Sequence, residues 1–585
     1  MTDRFASRRD LLMGSTMAAL AAGLPAVAGA RQASAPADQP AEPVPPAGPV
    51  SADTVRAAER LFAVEYTDAE RQQLVTGIDD WIERTTRLRT TSLPNALAPA
   101  CVFDPRLPGQ ALREQSDGLV RSAASAGALP EDDAAIAYAP VWRLSRWIGS
   151  GALSSRRLTE IYLARIARHA PALECFVTVT PQIARAEADA CDRETAAGHS
   201  RGPLHGIPYG MKDIIDVAGV RASWGAMPYR DRIADDDARV TILLREAGAV
   251  LLGKTTNGAL AYGERWFEGI TRNPWNIQEG SSGSSAGSAS AVAAGLAGFA
   301  IGTETLGSIV SPSNRCGTTG LRPTFGRVSR SGAMALCWSL DKIGAIARSV
   351  EDTAYVLEAI NGEDTRDPGS IGMGFDCDAG AGVRGMRVGW NPAWFESGSD
   401  ADRAALQAAR DAGVELVEVD LPDLPYDALF AAVEAESAAA FEQLTLSGED
   451  DSLVWQEPNA WPNTWRRARF ISAVDFINAD RFRRQVMQVM HTLFADLDAL
   501  IAPNFAAGLL VITNFTGHPQ LAFRSGFSDQ PTRGEFGDPH DDALYRVPQT
   551  TSLWAPLFEE GRIIALGREL ETRLAVAAQQ PPAFR

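Results

Sequence analysis

Residues 280–291 read Gly-Ser-Ser-Gly-Ser-Ser-Ala-Gly-Ser-Ala-Ser-Ala, twelve consecutive residues of which every one is Gly, Ser or Ala. Such a run is ordinarily a solvated spacer. Gly283-Ser284-Ser285-Ala286-Gly287 also fits G-x-S-x-G, the nucleophile turn of many esterases, which would make Ser285 the nucleophile. That motif needs an apolar strand directly before it, and here Arg-Asn-Pro-Trp-Asn-Ile-Gln-Glu precedes it. A third reading needs residues far away in the sequence.

From residue 203 onward, short apolar or β-branched runs such as His-Gly-Ile-Pro-Tyr-Gly, Ala-Val-Leu-Leu-Gly-Lys-Thr and Ala-Gly-Phe-Ala-Ile-Gly-Thr alternate with helical stretches such as 239–248 and 349–360. This alternation predicts an α/β core. Further strand-like pieces occur at 385–390, 413–422 and 497–505, with helices expected near 426–447 and 470–496. Helical spacing also runs through 69–88, with Asp68 as the expected cap, and through 140–170, capped at Ser154 or Ser155. No fixed-period repeat is present. Residues 53–140 are expected to form a mostly helical N-terminal extension, and residues 141–585 one large α/β domain.

The first thirty residues have a different character. Ser7-Arg8-Arg9-Asp10-Leu11-Leu12 leads into a weakly apolar stretch ending at Ala28-Gly29-Ala30. The pattern is that of a twin-arginine export signal with a small-residue cleavage site, which sets the expectation of a periplasmic or extracellular protein. Gly14, Gly23, Pro25 and Gly29 interrupt a segment already short for a membrane span, so no stable membrane anchor is expected. The Pro/Ala-rich segment 31–52 reads as an extended linker. A formal charge of −18 argues against a nucleic-acid partner, whose phosphates demand a basic face. The six cysteines show no C-x-x-C spacing, and neither a metal site nor a cofactor is expected.

Lysine usage narrows the chemistry. Of 55 basic residues only Lys212, Lys254 and Lys342 are lysines. Arginine is effectively never deprotonated, whereas a desolvated lysine loses its proton and can serve as a base. Lys212 follows a strand-like run, and Lys254 ends one. Lys342 completes Ser339-Leu340-Asp341-Lys342, an S-x-x-K match that lacks the companion S-D-N and K-T-G elements of penicillin-recognising enzymes.

Residues 280–329, Gly-Ser-Ser-Gly-Ser-Ser through Thr-Glu-Thr-Leu-Gly-Ser-Ile-Val to Phe-Gly-Arg-Val-Ser, resemble the signature segment of the amidase signature family of serine hydrolases. The likeness extends from about 203 to about 363 and so takes in Gly-Met-Lys-Asp at 210–213. It implies an amidase-signature fold, a central mixed β-sheet covered by helices on both faces. It also implies a Ser-Ser-Lys triad in which Ser308 is the nucleophile, Ser284 the bridging serine after a cis peptide bond, and Lys212 the base. The backbone N–H groups of Thr305, Leu306, Gly307 and Ser308 would form the oxyanion hole.

The residue types suit those roles. A serine is a poor nucleophile until a base takes its proton, and a buried lysine with a serine between them can relay it without histidine. Where the family often has Asp-x-Gly-Gly-Ser-Ile-Arg, this chain has Glu304-Thr305-Leu306-Gly307-Ser308-Ile309-Val310, and two of its departures bear on the pocket: Leu306 puts bulk beside the oxyanion turn, and Val310 removes an arginine charge. The resemblance implies an exported amidase that cleaves a small-molecule or peptide-like amide. The same signature also serves amidotransferase A-type subunits, and the two departures leave open a non-catalytic binding protein on the same fold.

Other residues carry alternatives. Ser285 either supports Ser308 or caps the following helix, and Asp213 either tunes charge beside Lys212 or makes a local turn. Cys316 and Arg322 are expected to be structural. His491, His518 and His540 are expected to be core or surface residues, and Trp266, Phe267, Trp275, Trp338 and Trp554 to be mostly core.

Overall fold

The computed structural model describes residues 50–535 and 539–585, and its backbone follows the apolar runs. In chain order the main sheet takes Phe176–Val179 (β1), Pro208–Lys212 (β2), Val250–Thr255 (β3), Phe299–Glu304 (β4), Thr319–Arg322 (β5), Lys342–Ala347 (β6), Arg387–Trp390 (β7), Glu415–Glu418 (β8), Ala499–Pro503 (β9), Gln520–Arg533 (β10) and Pro539–Trp554 (β11). Across the sheet the order is β8-β7-β9-β11-β10-β5-β6-β4-β2-β3-β1. Strands β8, β7 and β9 pair parallel, as do β4, β2 and β3, while every pairing from β9 through β4 and the outer β3–β1 pair is antiparallel. The fold is therefore α/β on a large mixed sheet.

Strands β2, β3 and β4 are buried at every residue, which is why each reads as an apolar run up to its polar C-terminal end instead of alternating. The helices that pack around them include Ser155–Leu173 (α1), Arg239–Glu246 (α2), Ala286–Ala293 (α3), Val310–Cys316 (α4), Val350–Ile360 (α5), Leu509–Thr516 (α6) and Glu560–Leu574 (α7). Ser154 caps α1, its hydroxyl accepting from Arg157 N at 3.0 Å. Helix α3, built from the Gly/Ser/Ala run, is buried at all eight positions and lies against β2, β3, β4 and β6. At Gly287 an added Cβ would stand 2.3 Å from Cys175 O and 2.5 Å from Thr256 N, so only glycine lets this helix seat. Ala289, Val292, Ala293, Ala300, Ile309, Cys316 and Ile346 close into one apolar cluster that ties α3 to β4, α4 and β6. The run is a packed element, not a spacer.

The chain divides into two units. The larger comprises Ala98–Asp427 and Arg483–Arg585 and contains the whole sheet; the smaller comprises residues up to Leu97 together with Ala428–Phe482. The division falls at Leu97, not at the expected 140. Residues 98–140 contribute little helix, and their partners lie in the larger unit: Gly118–Val120 pairs parallel with Asp376–Asp378, and the Tyr138 hydroxyl donates to Phe584 O at 3.0 Å. In the smaller unit, Ala52–Phe62 packs on Asp68–Arg89, and Phe430–Ala440 and Glu442–Ser447 pack on Trp461–Ala468, where Trp465 is buried between Phe441 and Trp461. Thr67, not Asp68, caps the second of these helices in a box with Glu70, while Asp68 pairs with Arg56 and Arg71. Ser51 caps the first, so the expected linker ends there; most of it, and the twin-arginine stretch, lies outside the described residues.

Candidate active site

Three elements of the larger unit converge. Lys212 ends β2, Ser284 stands in the turn that enters α3, and Ser308 stands in the turn between β4 and α4. The Lys212 ammonium nitrogen lies 2.8 Å from Ser284 Oγ, 3.1 Å from Ser285 Oγ, and 2.8 and 3.4 Å from Thr303 Oγ1 and O. The Gly283–Ser284 peptide bond is cis. Its approach is close, because a Cβ on Gly283 would fall 1.8 Å from Gly263 O. Lys212 and Ser284 are both 0% exposed, while Ser308 retains 8%, so of the three only Ser308 presents surface to an incoming molecule. Burial pushes the Lys212 amine down to about 7, with Asp341 and Glu304 pulling weakly the other way. A large fraction of this lysine is therefore neutral near pH 7, and its lone pair can take a proton.

Ser285 resolves in favour of support. It occupies the N-terminal position of α3 but makes no side-chain capping bond. Its hydroxyl accepts from Thr303 N and donates to Thr303 O, both at 3.1 Å, and its backbone N–H donates to Ser308 O at 3.1 Å. Ser285 thus ties the Lys212 cluster to the backbone that carries Ser308. That arrangement leaves Ser285 Oγ committed inside the core, which removes the esterase-turn reading.

The turn from Thr305 to Ser308 is held at both ends by one carboxylate. Glu304 Oε2 accepts from Ile309 N at 2.8 Å and Val310 N at 3.0 Å, while Oε1 accepts from Arg322 Nη1 at 2.8 Å and Asn514 Nδ2 at 2.9 Å. Burial raises the Glu304 carboxyl, but the Arg322 guanidinium and these bonds outweigh it and hold the group below the usual carboxylate range. Between these anchors Gly307 adopts φ 93°, a conformation open to glycine. The N–H groups of Thr305, Leu306, Gly307 and Ser308 donate to no acceptor among the described residues. Four free donors on one short turn next to an accessible serine can stabilise an oxyanion. Leu306 is half-buried, and Leu510 Cδ2 would lie 3.2 Å from a Cβ at Gly307, so this turn has apolar side chains around it. Val310 is fully buried, and Glu304 pairs with Arg322 from β5.

The remaining candidates go elsewhere. Lys254 Nζ lies 3.4 Å from Asp213 Oδ1, a pair with both side chains 0% exposed, and Asp213 Oδ2 accepts from Ser223. Asp213 therefore serves this internal pair. Lys342 donates to Leu340 O, and Ser339 Oγ accepts from Arg483, so the S-x-x-K residues serve separate structural bonds. His518 is buried, stacks on Phe494 and is pushed down to about 3 by burial; His491 is exposed. The His540 side chain lies outside the described residues. Trp266 packs edge-on against Phe267, Trp275 donates to Cys316 O, and Trp554 is buried in β11. The six cysteines are free, and among the described residues no group of three His, Cys, Asp or Glu could hold a metal.

Thr303 and Glu304 are the site residues whose side chains sequence reasoning did not place, while Arg322, expected to be structural, is the buried partner of Glu304. A carboxylate ending the wholly apolar run Ala-Gly-Phe-Ala-Ile-Gly was the available signal, because a buried charge requires a partner.

Comparison with known proteins gives one consistent family. The amidase family model matches residues 157–525. The A-type subunit of glutamyl-tRNA(Gln) amidotransferase from Acinetobacter baumannii is 41% identical over 433 residues, spanning 68% of this chain and 84% of the relative. Among solved structures, the peptide amidase of Stenotrophomonas maltophilia is 30% identical with a TM-score of 0.64, covering 76% of this chain and 98% of that one. An amidase family protein of Bacillus anthracis is 26% identical with a TM-score of 0.65, covering 78% and 95%.

Proposed function

Because the chain belongs to the amidase family, and so is an enzyme that acts on amide C–N bonds, we propose that it hydrolyses its substrate through an acyl-enzyme on Ser308. The observation that carries this assignment is the buried Lys212, lowered to about 7 and 2.8 Å from Ser284 Oγ, with Ser308 tied to the same cluster by the Ser285 N–H that donates to its carbonyl at 3.1 Å. In the first half-reaction neutral Lys212 takes the Ser284 hydroxyl proton, and Ser284 takes that of Ser308. Ser308 Oγ attacks the carbonyl carbon, and the oxyanion is received by the N–H groups of residues 305–308, each well-aimed donor contributing about 3 kcal/mol to the transition state. The proton returns through Ser284 to the leaving nitrogen as the C–N bond breaks. Water then attacks the acyl ester under the same relay, releasing the acid and restoring the Ser308 hydroxyl.

The test is Ser308→Ala and Ser284→Ala against a panel of small-molecule and peptide amides. Both are expected to lower kcat by on the order of 10³ or more, and a fluorophosphonate probe is expected to label Ser308 in the unmodified protein. Full hydrolysis by the Ser308→Ala protein would remove the assignment. A peptide-like amide is the substrate class to try first, supported by the likeness to the peptide amidase.

The identity with the amidotransferase relative supports a second reading, in which this chain delivers ammonia to an acceptor inside a larger complex. Hydrolysis of simple amides by the isolated chain favours the first reading, and co-purification with tRNA-bound partner proteins the second. Export is likewise proposed from Arg8-Arg9 and the stretch behind it. Replacing both arginines by lysine is expected to trap the protein in the cytoplasm, and unchanged fractionation would overturn that expectation.

A further inference from the structure

In Ser339-Leu340-Asp341-Lys342 the serine and the lysine serve structural bonds, but the aspartate reaches the turn 305–308. Strand β6 pairs antiparallel with β4 as far as Lys342 opposite Glu304, so the next residue of each, Asp341 and Thr305, meet just beyond the ladder. There the Thr305 hydroxyl donates to Asp341 Oδ1 at 2.5 Å, while Asp341 Oδ2 accepts from Leu336 N at 2.8 Å and Cys337 N at 3.0 Å. One carboxylate oxygen thus serves the turn, and the other the loop that leads into β6. The far end of that loop is anchored beside the base: Met334 N donates to Ile214 O at 2.8 Å, and Ala333 bridges Ile215, just after Lys212 in the chain.

A backbone N–H stabilises an oxyanion only when aimed at the position the oxyanion takes, and a donor fixed beforehand costs nothing at the moment of reaction. Glu304 Oε2 fixes the far end of the turn through Ile309 N and Val310 N. At the near end stands the buried Thr305, its hydroxyl bound to a carboxylate, a charge-assisted bond stronger than a neutral one. Burial raises the Asp341 carboxyl, while its three donors and the Arg330 guanidinium favour the charged form.

We propose that Asp341 is a positioning residue for the oxyanion hole: it aims the Thr305 N–H by holding the Thr305 hydroxyl, and keys the turn to the loop 333–340. This rests on the acyl-enzyme reading of Ser308. Loss of either partner is then felt in the transition state and not in substrate binding.

Steady-state kinetics on an amide that the unmodified protein cleaves, with the aldehyde of the same acyl part as inhibitor, tests it. Ser308 Oγ bonds to the aldehyde carbon, and the former carbonyl oxygen then sits where the oxyanion would. Thr305→Val keeps the N–H and the branched shape and loses the hydroxyl. It is expected to lower kcat by about tenfold or more, to leave KM within about twofold, and to raise the aldehyde Ki by the same factor as kcat falls. Asp341→Ala should act likewise, the double variant should be no worse than Asp341→Ala alone, and Thr305→Ser should recover most of the loss. Thr305→Val carries the test where Asp341→Ala does not fold. A purely structural role would reduce the amount of folded enzyme and leave KM and Ki of the remainder unchanged. Full kcat in Thr305→Val, a fall in kcat without a matching rise in Ki, or additive losses in the double variant would overturn the proposal. Ser308→Ala separates it from the reading beneath it: hydrolysis retained in that protein removes the acyl-enzyme itself, whereas an inert Ser308→Ala protein beside a fully active Thr305→Val protein removes only the role of Asp341.

Discussion

Lys212 sets the pH dependence of the proposed chemistry. Burial lowers its amine to about 7, and only the neutral form accepts a proton. Below about 7, kcat/KM is therefore expected to fall by about tenfold per pH unit, and above it to level off. Lys212→Met keeps the buried stem and removes the base. It is expected to lower kcat by on the order of 10³ or more while leaving Tm at acid pH unchanged or raised, because an ammonium buried in the native state is a cost. The sign follows from linkage. Between about 7 and the ordinary lysine range the unfolded chain holds a proton on Lys212 that the native chain does not, so this group's contribution grows more favourable as pH rises through that window. Tm measured across it should rise less steeply for Lys212→Met, and a parallel rise in both proteins would contradict the lowered amine. That Lys212 and Ser284 meet was legible because a chain that almost always uses arginine places a lysine in Gly-Met-Lys-Asp, and because Ser284 stands in the segment that resembles the family's signature. The second partner of Lys212, Thr303, was not, since it reaches the amine only by ending the adjacent strand β4.

At the scale of elements, the turn Thr305–Ser308 depends on Glu304 as much as on its own glycine. Glu304→Gln leaves the fully buried Arg322 guanidinium without its charge partner, a change that typically costs about 3–5 kcal/mol. Urea unfolding should show a loss of that order, and kcat should fall with it because the amide keeps a single acceptor oxygen, so that its NH2 must face either Arg322 and Asn514 or the Ile309 and Val310 N–H groups that fix the turn. Glu304→Asp, which keeps the charge, should recover part of both. A Gln variant as stable and active as the unmodified protein would show that the clamp is not needed. Strands β2, β3 and β4 were legible as continuous apolar runs, as was the helix at 350–360. The long β10–β11 hairpin was not. Gly526, Pro531 and Pro548 interrupt its pattern, register shifts break its pairing, and toward its tip the strands are half-exposed, so no apolar period of two survives. The one-residue shift of the Asp68 cap to Thr67 has a local cause, since Glu70 completes a box with threonine three residues before it.

The whole molecule is divided in a way that no reading of adjacent residues would find. The helices near the N-terminus belong with Ala428–Phe482, more than 330 residues away in sequence, and not with the 98–140 stretch that follows them. Chain proximity predicted an extension that ends near 140; packing places the break at Leu97. The contacts are specific: Asn95 Nδ2 donates to Ala440 O at 3.4 Å, and Arg89 approaches Glu442 at 3.8 Å. Trimming the chain to the amidase family's own span would therefore remove the N-terminal part of this unit and keep Ala428–Phe482 without it. A protein beginning at Ala98 is expected to unfold at least several degrees below one beginning at Val50, with the loss centred on Phe430–Ala440 and Trp461–Ala468. Hydrogen exchange followed by mass spectrometry would locate it, because amides in those two helices should lose protection while those of β2, β3 and β4 keep theirs. Equal protection in both proteins would mean that Ala428–Phe482 folds without the N-terminal helices. If the loss appears, the triad in the larger unit should still react with a fluorophosphonate probe in the protein that begins at Ala98, because Lys212, Ser284, Ser308 and Glu304 draw every hydrogen-bond partner described above from within Ala98–Asp427 and Arg483–Arg585.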